Sequence, residues 1–140
     1  MSARRLHLVL GTALLAGACA SPTASCDAAG AVTGHWSYAA TQETPVHGTL
    51  TGSLVISSQT CTDFQGALDV IEQLTTGESR RIAGPVSGSL VDTGVARFEV
   101  TLGGVGREHL VRLHGDSMTG SWVETGGSLQ GNGRFGGRRQ

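Results

Sequence analysis

Apolar and polar side chains alternate with a period of two along most of the chain after residue 30. In the first such run, Val32, Trp36 and Tyr38 fall on one face, whereas His35 and Ser37 fall on the other. This period is that of a β-strand with one buried face, and no window of a dozen residues shows a helical stripe. The pattern predicts eight strands, which cover residues 31–40, 48–58, 61–74, 79–92, 95–102, 107–114, 117–122 and 129–135.

The connections between these runs are short and rich in turn-forming residues. The clearest turn signals are Thr76-Gly77, Thr93-Gly94 and Gly115-Asp116. Short connections make sequential strands antiparallel neighbours, and an eight-stranded sheet removes its exposed edges by closing on itself. The predicted fold class is therefore all-β, a single eight-stranded antiparallel up-and-down β-barrel over residues 31–136, with a disordered tail at 137–140.

The apolar face of these strands predicts the interior of the barrel. Only the run 107–114 has no clear inner face, because Leu110 points one way and Val111 and Leu113 the other. The large side chains expected to line the interior, and to contact a ligand if there is one, are Trp36, Tyr38, Phe64, Phe98, Met118 and Trp122. Glycine repeatedly stands two residues before a large apolar residue on this face, as in Gly52/Leu54. Such glycines indicate either sharp coiling around a filled interior or space left for one small ligand.

The first 18 residues have the features of an export signal. Arg4 and Arg5 precede a thirteen-residue run, 6–18, that is apolar except for His7 and Thr12. At about 1.5 Å per residue this run spans roughly 20 Å, too short for the roughly 30 Å hydrocarbon layer of a membrane.

The end of this segment, 15–19, reads LAGAC and resembles the lipobox of bacterial lipoproteins. The resemblance implies that Cys19 is lipidated and becomes the N-terminus, which would make a lipid membrane a partner of the protein. Ala20 follows the cysteine, and by the same resemblance this implies sorting to the outer membrane, facing the periplasm or the cell surface. Ala18-Cys19-Ala20 also fits ordinary secretory cleavage, so a freely secreted product is the alternative. Residues 19–30 then form the anchor and linker.

Cys26 and Cys61 remain once Cys19 is assigned to the anchor. An exported compartment is oxidising, so an even pair of cysteines there favours a disulfide over a metal or catalytic site. In an up-and-down meander the start of the first strand and the start of the third lie at the same end, which agrees with this pairing. Closing a loop of about 35 residues would stabilise the fold by about 3–4 kcal/mol.

Composition and charge exclude several classes of function. The chain of 140 residues has ten Lys and Arg, all of them arginine, and eleven Asp and Glu. Removal of the signal with its two arginines leaves a net charge of −3, which is unfavourable for binding nucleic acid. The six aromatic residues are too few for the girdles of a transmembrane barrel. No cofactor is expected.

No motif in the chain supports catalysis or metal binding. The segment Gly115-Asp116-Ser117 resembles the nucleophile block of one esterase family, but no histidine follows it to act as a base, so it is better explained as a hairpin turn. The histidines lack the close paired spacing of a zinc site and are expected on the surface or in loops, namely His35, His47, His109 and His114. Asp63 and Asp69 are expected on the outer face. The Arg80-Arg81 and Arg138-Arg139 pairs are expected in solvent, with a contact to lipid headgroups as the alternative.

Gly34-His35-Trp36 resembles the G-x-W opening of lipocalin and avidin-like barrels, and the glycine-rich strands after it are similar in rhythm to avidin over about 105 residues. This resemblance implies a barrel with one open end, in which Trp36 packs near the base beneath an arginine of the closing strand. Arg134 is the arginine expected there. The polar and tryptophan contacts of a biotin pocket have no matching positions, so the resemblance implies no particular ligand.

Two functions remain. The first is a non-enzymatic, membrane-tethered barrel that binds a small apolar or amphipathic molecule in an internal cavity of a few hundred Å³. The second is a protein-binding module, such as an inhibitor of an exported hydrolase, with a filled interior and an exposed apolar loop surface.

Overall fold

The computed structural model describes residues 30–126 and 130–140. Eight antiparallel strands form a closed barrel in which each strand pairs with the next and the last pairs with the first. Their bounds are β1 Gly34–Thr44, β2 Gly48–Thr60, β3 Asp63–Leu74, β4 Ser79–Asp92, β5 Val95–Leu102, β6 Val105–His114, β7 Ser117–Thr125 and β8 Asn132–Arg138. The predicted fold class is confirmed, and no helix among the described residues is long and apolar enough to cross a membrane.

The two ends of the barrel differ in their connections. One end, called the base here, carries the tight turns after β2, β4 and β6. The other end, called the mouth, carries the connections after β1, β3, β5 and β7. The predicted turns at 76–77, 93–94 and 115–116 are all confirmed.

The C-terminal prediction of a disordered tail at 137–140 is wrong. Gly137 and Arg138 belong to β8 and pair with β7, while Arg139 forms a bridge with Trp36 on β1. The last residue donates its backbone N–H to the carbonyl of His35. The alternation of β8 continues past Phe135, so these residues close the sheet against β1 rather than leaving it. The predicted signal, anchor and linker up to residue 29 and the predicted strand residue Leu129 lie outside the described residues.

The base half and the middle of the barrel are filled by side chains. In the middle, the His109 ring stacks on Phe98 with centroids 4.3 Å apart, and Tyr38 stacks on Phe135 at 5.5 Å. Buried apolar side chains surround these rings on every strand, and they are Trp36, Leu50, Leu54, Ile56, Phe64, Leu68, Val70, Val86, Leu90, Val100, Leu102, Val111, Met118 and Trp122. Burial of this apolar surface is the main driving force for the fold.

The inward glycines allow the strands to coil tightly. A Cβ at Gly52 would collide with the backbone carbonyl of Asp69 on β3, and a Cβ at Gly120 with that of Leu110 on β6. The nearest atom in each case belongs to the backbone of the neighbouring strand, and at Gly120 the Phe135 ring also lies too close for a Cβ. The glycines therefore explain the curvature of the wall, and they do not mark space for a ligand.

Arg139 closes the base of the barrel over Trp36. Its guanidinium carbon lies 4.4 Å from the Trp36 ring centroid, and its Nη2 donates to the carbonyl of Ala31 at 2.8 Å. The expectation that an arginine of the closing strand covers this tryptophan is met by Arg139. The assignment to Arg134 is wrong, because Arg134 is outward-facing and exposed on β8. The sheet alternation places 135, 137 and 139 on the inner face, opposite 134.

Cys61 lies in the β2–β3 turn at the base, in a left-handed backbone conformation with φ of 53°. Gly30, the first described residue, is at the same end, since its carbonyl accepts a hydrogen bond from Gln59 at 2.9 Å. This position suits the predicted disulfide. Cys26 lies outside the described residues, so the pairing of Cys26 with Cys61 stays a prediction.

Candidate functional site

A charged cluster lies inside the barrel near the mouth. Arg107 on β6 points inward, and its Nη2 is 3.2 Å from Glu72 Oε1 on β3 and 3.1 Å from Glu124 Oε1 on β7. The Arg107 side chain is 5% exposed and that of Glu72 is 2% exposed. Since β3 and β6 are not neighbours in the barrel, the pair joins opposite walls. Removing charges from water is costly, so such a cluster inside an apolar barrel is not explained by stability alone.

Further contacts position the two glutamates. The exposed Arg80 on β4 places its Nε 2.5 Å from Glu72 Oε2. Glu124 Oε2 accepts a hydrogen bond from the backbone N–H of Gly131, at 2.9 Å. Both carboxyl groups are thus held from two directions, which fixes the orientation in which they meet Arg107.

Trp122 and Gln42 form the wall beside this cluster. The Arg107 guanidinium carbon lies 4.8 Å from the Trp122 ring centroid, in cation–π geometry. The indole N–H of Trp122 donates to the carbonyl of Thr41 on β1 at 3.1 Å. Gln42, the next residue along β1, points inward and donates its Nε2 to the carbonyl of Val46 at 2.9 Å.

Four buried polar atoms in this part of the barrel and the layer below it have no hydrogen-bond partner among the described residues. They are Arg107 Nε, Arg107 Nη1, Gln42 Oε1 and His109 Nδ1. A buried polar atom left unpaired costs about 1–3 kcal/mol, and native proteins keep few of them. Their concentration in one part of the interior identifies the mouth half as the candidate functional site.

Tyr38 and His109 form a polar pair one layer deeper. The Tyr38 hydroxyl and His109 Nε2 are 2.9 Å apart. Burial lowers the pKa of His109 to about 3, with the Arg107 backbone carbonyl opposing the shift and the Arg107 charge adding to it. Burial also raises the pKa of Tyr38, against a smaller opposing effect of Arg107. At neutral pH both groups are uncharged, and the pair is a neutral hydrogen bond within the aromatic layer.

An open cleft of about 510 Å³ lies at the mouth beside the cluster. It runs between the end of β1 and the end of β3, and Gln42, His47 and Leu74 are among its lining residues. Gln42 therefore contributes both to the buried cluster and to the cleft. The cleft itself is open to solvent, and Gln42 is the residue that it shares with the buried cluster.

The six aromatic and methionine residues predicted to line the interior are all buried there. Trp36, Phe64 and Met118 lie toward the base, Tyr38 and Phe98 in the middle layer, and Trp122 next to the charged cluster. The first five pack against neighbouring side chains in the buried apolar cluster of the described residues. Among the six, Trp122 is the one that borders the candidate site, and a role in ligand contact stays a prediction for all of them.

The polar residues of the site were missed in the sequence. His109 was expected on the surface or in a loop and is fully buried, whereas His35, His47 and His114 are exposed as predicted. Glu72 continues the inward face of Leu68 and Val70, and Arg107 that of His109 and Val111. If the alternation of each strand is continued through its polar residues, it places both Glu72 and Arg107 on the inner face.

Comparisons with known proteins give the fold and no family. No family model matches the chain, and no curated protein matches it. Solved structures that resemble it include fluorescence-activating and redesigned β-barrels. EF1p2_mFAP2b bound to DFHBI has a TM-score of 0.65 and 14% identity, over 82% of this chain and 98% of that chain. A de novo designed fluorescence-activating β-barrel has a TM-score of 0.58 and 22% identity, over 81% and 98%. The redesigned barrel mFAP1, also bound to DFHBI, has a TM-score of 0.60 and 13% identity, over 82% and 97%.

Proposed function

We propose that this protein is an exported, membrane-anchored barrel that binds a small amphipathic molecule at the mouth half of its interior, without catalysis. The observation that carries the proposal is the buried Arg107, two of whose N–H-bearing nitrogens have no partner among the described residues. A ligand that accepted these hydrogen bonds would remove a cost of about 1–3 kcal/mol for each atom it satisfied. That gain is available only to a molecule with suitably placed polar atoms, which makes the site selective.

The charges around Arg107 favour a ligand with a neutral polar head. Two glutamates already face Arg107, and Arg80 supplies a second positive charge from the surface. An anionic head would bring a third negative charge beside the buried Glu72 carboxylate and the partly buried Glu124 carboxylate, which is unfavourable at low dielectric. A head with acceptors for Arg107 and a donor for Gln42 Oε1, such as an amide or a hydroxyl-carbonyl pair, fits without adding charge.

The rest of such a ligand would contact apolar surface. Trp122 presents its ring beside Arg107, and Leu50 lies opposite Glu72 in the β2–β3 register and is buried. These side chains offer a wall for an apolar or aromatic body, and the proposed entry from solvent is the cleft that Gln42 helps to line. The dye-binding barrels with the same fold are consistent with a small-ligand role.

The test is a matched pair of fluorescent probes. Neutral dansylamide and its sulfonate counterpart, dansylate, share one ring system, and the sulfonamide of the first offers acceptors for Arg107 and an N–H donor for Gln42 Oε1. We expect the neutral probe to bind at least about tenfold more tightly, which corresponds to about 1.4 kcal/mol. Gln42→Leu should weaken its binding, whereas Gln65→Leu on the outer wall of β3 should leave it unchanged. Equal or tighter binding of dansylate would contradict the neutral-head proposal, and native mass spectrometry of protein from its own cells would identify the natural ligand.

The filled base half favours a second function, the binding of a protein partner. The interior below the charged cluster has no open chamber among the described residues, as expected for an inhibitor-like module. Among the described residues, however, the exposed large apolar side chains lie on strands and not on the loops that such a module would present. They are Ile71, Val91, Leu110 and Val123. Failure of both probes to bind, together with capture of an exported hydrolase, would favour this second function.

A further inference from the structure

The arginines of the described residues fall into two groups. Eight arginines lie in the described ranges, and five of them form ion pairs, namely Arg80, Arg81, Arg97, Arg107 and Arg139. The other three, Arg112, Arg134 and Arg138, are exposed and have no ion pair with a described residue. Unpaired arginines gathered in one place are a positive surface available to a partner.

These three arginines share one outer face. Arg112 on β6 pairs with Thr119 on β7, and Arg134 on β8 pairs with Ser121. Neighbouring strands lie about 4.8 Å apart and successive residues about 3.3 Å, so two strand spacings and the two-residue offset put these positions roughly 12 Å apart on the sheet. Arg138 extends the same face of β8 toward the base. We call Arg112, Arg134 and Arg138 the basic face.

Acidic side chains are absent from the outward positions of this region in the described chain. The outward residues of β6 from Leu110 to His114, of β7 from Ser117 to Ser121 and of β1 from His35 to Thr41 carry no carboxylate. Asp116, in the β6–β7 turn, is paired with Arg139. Leu110, which is 48% exposed, adds an apolar side chain beside the arginines. The face thus combines positive charge with apolar surface, the combination that suits an anionic membrane interface.

The start of the described chain lies near this face. Gly30 and Ala31 are held at the base by Gln59 and Arg139, and Arg139 directly follows Arg138. Cys19 is eleven residues before Gly30, and eleven residues span at most about 40 Å. An acyl anchor at Cys19 would therefore hold the base end within a short distance of the bilayer.

We propose that the basic face docks on a lipid bilayer that contains anionic headgroups. The proposal is independent of the ligand site, because it uses the outer wall of β6–β8 and not the interior. A juxtamembrane arginine typically strengthens binding to an anionic bilayer by about fivefold, the fold-change of about 1 kcal/mol. Two arginines of the face should account for about 30-fold, and this contribution should fall steeply as salt is raised.

The test measures co-sedimentation with vesicles of phosphatidylcholine alone or with about one third phosphatidylglycerol. The protein is the full chain with Cys19→Ser, so that no acyl chain contributes to binding. The variant Arg112→Gln/Arg134→Gln should bind the anionic vesicles about 30-fold more weakly at low salt. The control, Arg81→Gln/Arg97→Gln, removes the same charge from arginines that are already paired, and it should change binding less than about threefold.

Each result supports the proposal or overturns it. Loss confined to the first variant, and loss of the anionic preference in about 0.5 M NaCl, support it. Equal losses in the two double variants would show that net charge alone matters and would overturn it. Equal binding of the protein with all its arginines to neutral and to anionic vesicles would also overturn the proposal. Tighter binding to soluble polyphosphate than to the anionic vesicles would overturn it too, because the partner of the basic face would then be a soluble polyanion and not a membrane.

Discussion

Arg107 on β6 and Glu72 on β3 meet across the barrel, with 3.2 Å between Arg107 Nη2 and Glu72 Oε1. The two strands are separated by β4 and β5 on one side, so no backbone pairing joins them. The ion pair thus links two strands that otherwise contact each other only through packed side chains. Together with Glu124, it occupies the part of the interior where the unpaired polar atoms lie.

Loss of Arg107 should destabilise the barrel strongly. Arg107→Met leaves Glu72 and Glu124 buried without their shared cation, and breaking a buried pair in this way costs about 3–5 kcal/mol. Chemical denaturation measures the difference in the free energy of unfolding. Arg97→Met is the matched control, because Arg97 pairs with Glu108 on the outer wall at 3.2 Å and should cost under about 1 kcal/mol. Similar losses in the free energy of unfolding for both variants would show that the ion pair across the barrel stabilises the protein no more than an exposed ion pair does.

Acidification should destabilise the protein through His109 before the carboxyl groups titrate. The folded-state pKa of His109 is about 3, and the unfolded value is about 6.5. Below pH 6.5 the unfolded chain binds a proton that the folded chain does not, so the free energy of unfolding falls as pH falls. Between pH 7.5 and 5 the loss due to His109 should be about 2 kcal/mol.

The measurement is urea denaturation of the wild type and of His109→Gln at pH 7.5, 6 and 5. The variant should start less stable, since the stacking on Phe98 is lost, but its stability should fall less between these pH values. The same variant separates His109 from the exposed histidines, which both proteins retain. Parallel pH profiles for the two proteins would contradict the assignment of the loss to His109.

Replacement of glycine by alanine should affect stability differently at inward-facing and outward-facing positions of the barrel wall. Gly120→Ala places a Cβ against the backbone carbonyl of Leu110, and the strands must separate to accept it, at a cost of about 1–3 kcal/mol or more. Gly136→Ala on β8 meets no atom closer than the Met118 carbonyl oxygen at 3.7 Å. That substitution should be neutral or slightly stabilising, because alanine reduces the entropy of the unfolded chain. Thermal unfolding of both variants checks the contrast, and a neutral Gly120→Ala would refute the close-approach explanation.

Cys61→Ser should lower the free energy of unfolding by about 3–4 kcal/mol if Cys61 closes the predicted loop to Cys26. The left-handed backbone at Cys61 is equally unfavourable for serine, so the substitution isolates the covalent link. A reducing agent should bring the wild type to the stability of the variant and leave the variant unchanged. Unchanged melting of Cys61→Ser under non-reducing conditions would refute the disulfide.

The barrel could be predicted from the sequence because its two determinants are local. Alternation of side chains assigns each residue to a face, and short turns such as Thr93-Gly94 leave sequential antiparallel pairing as the available topology. Closure follows from the number of strands. None of these steps depends on knowing which inward residue touches which.

The site could not be predicted in the same way because its inward residues are polar. A search for apolar faces treats Arg107 and His109 as outward positions, which is why the run from 107 to 114 had no clear inner face. Gln42 and Glu72 lie on inward faces near strand ends, where solvent exposure was equally plausible. Their partners come from distant strands, as with Glu72 and Arg107, and that proximity exists only once the sheet has closed.

The contact between Arg139 and the carbonyl of Ala31 has a consequence for how the chain can be rearranged. Both ends of the barrel sequence lie at the base, so a short linker from residue 140 to residue 30 would make the polypeptide circular without disturbing any strand pair. New termini could then be opened at Gly103-Gly104, a two-residue turn with positive φ at both positions that connects β5 to β6 at the mouth. A circular permutant of this kind would keep all eight strands in their present register while moving both chain ends to the opposite pole of the molecule.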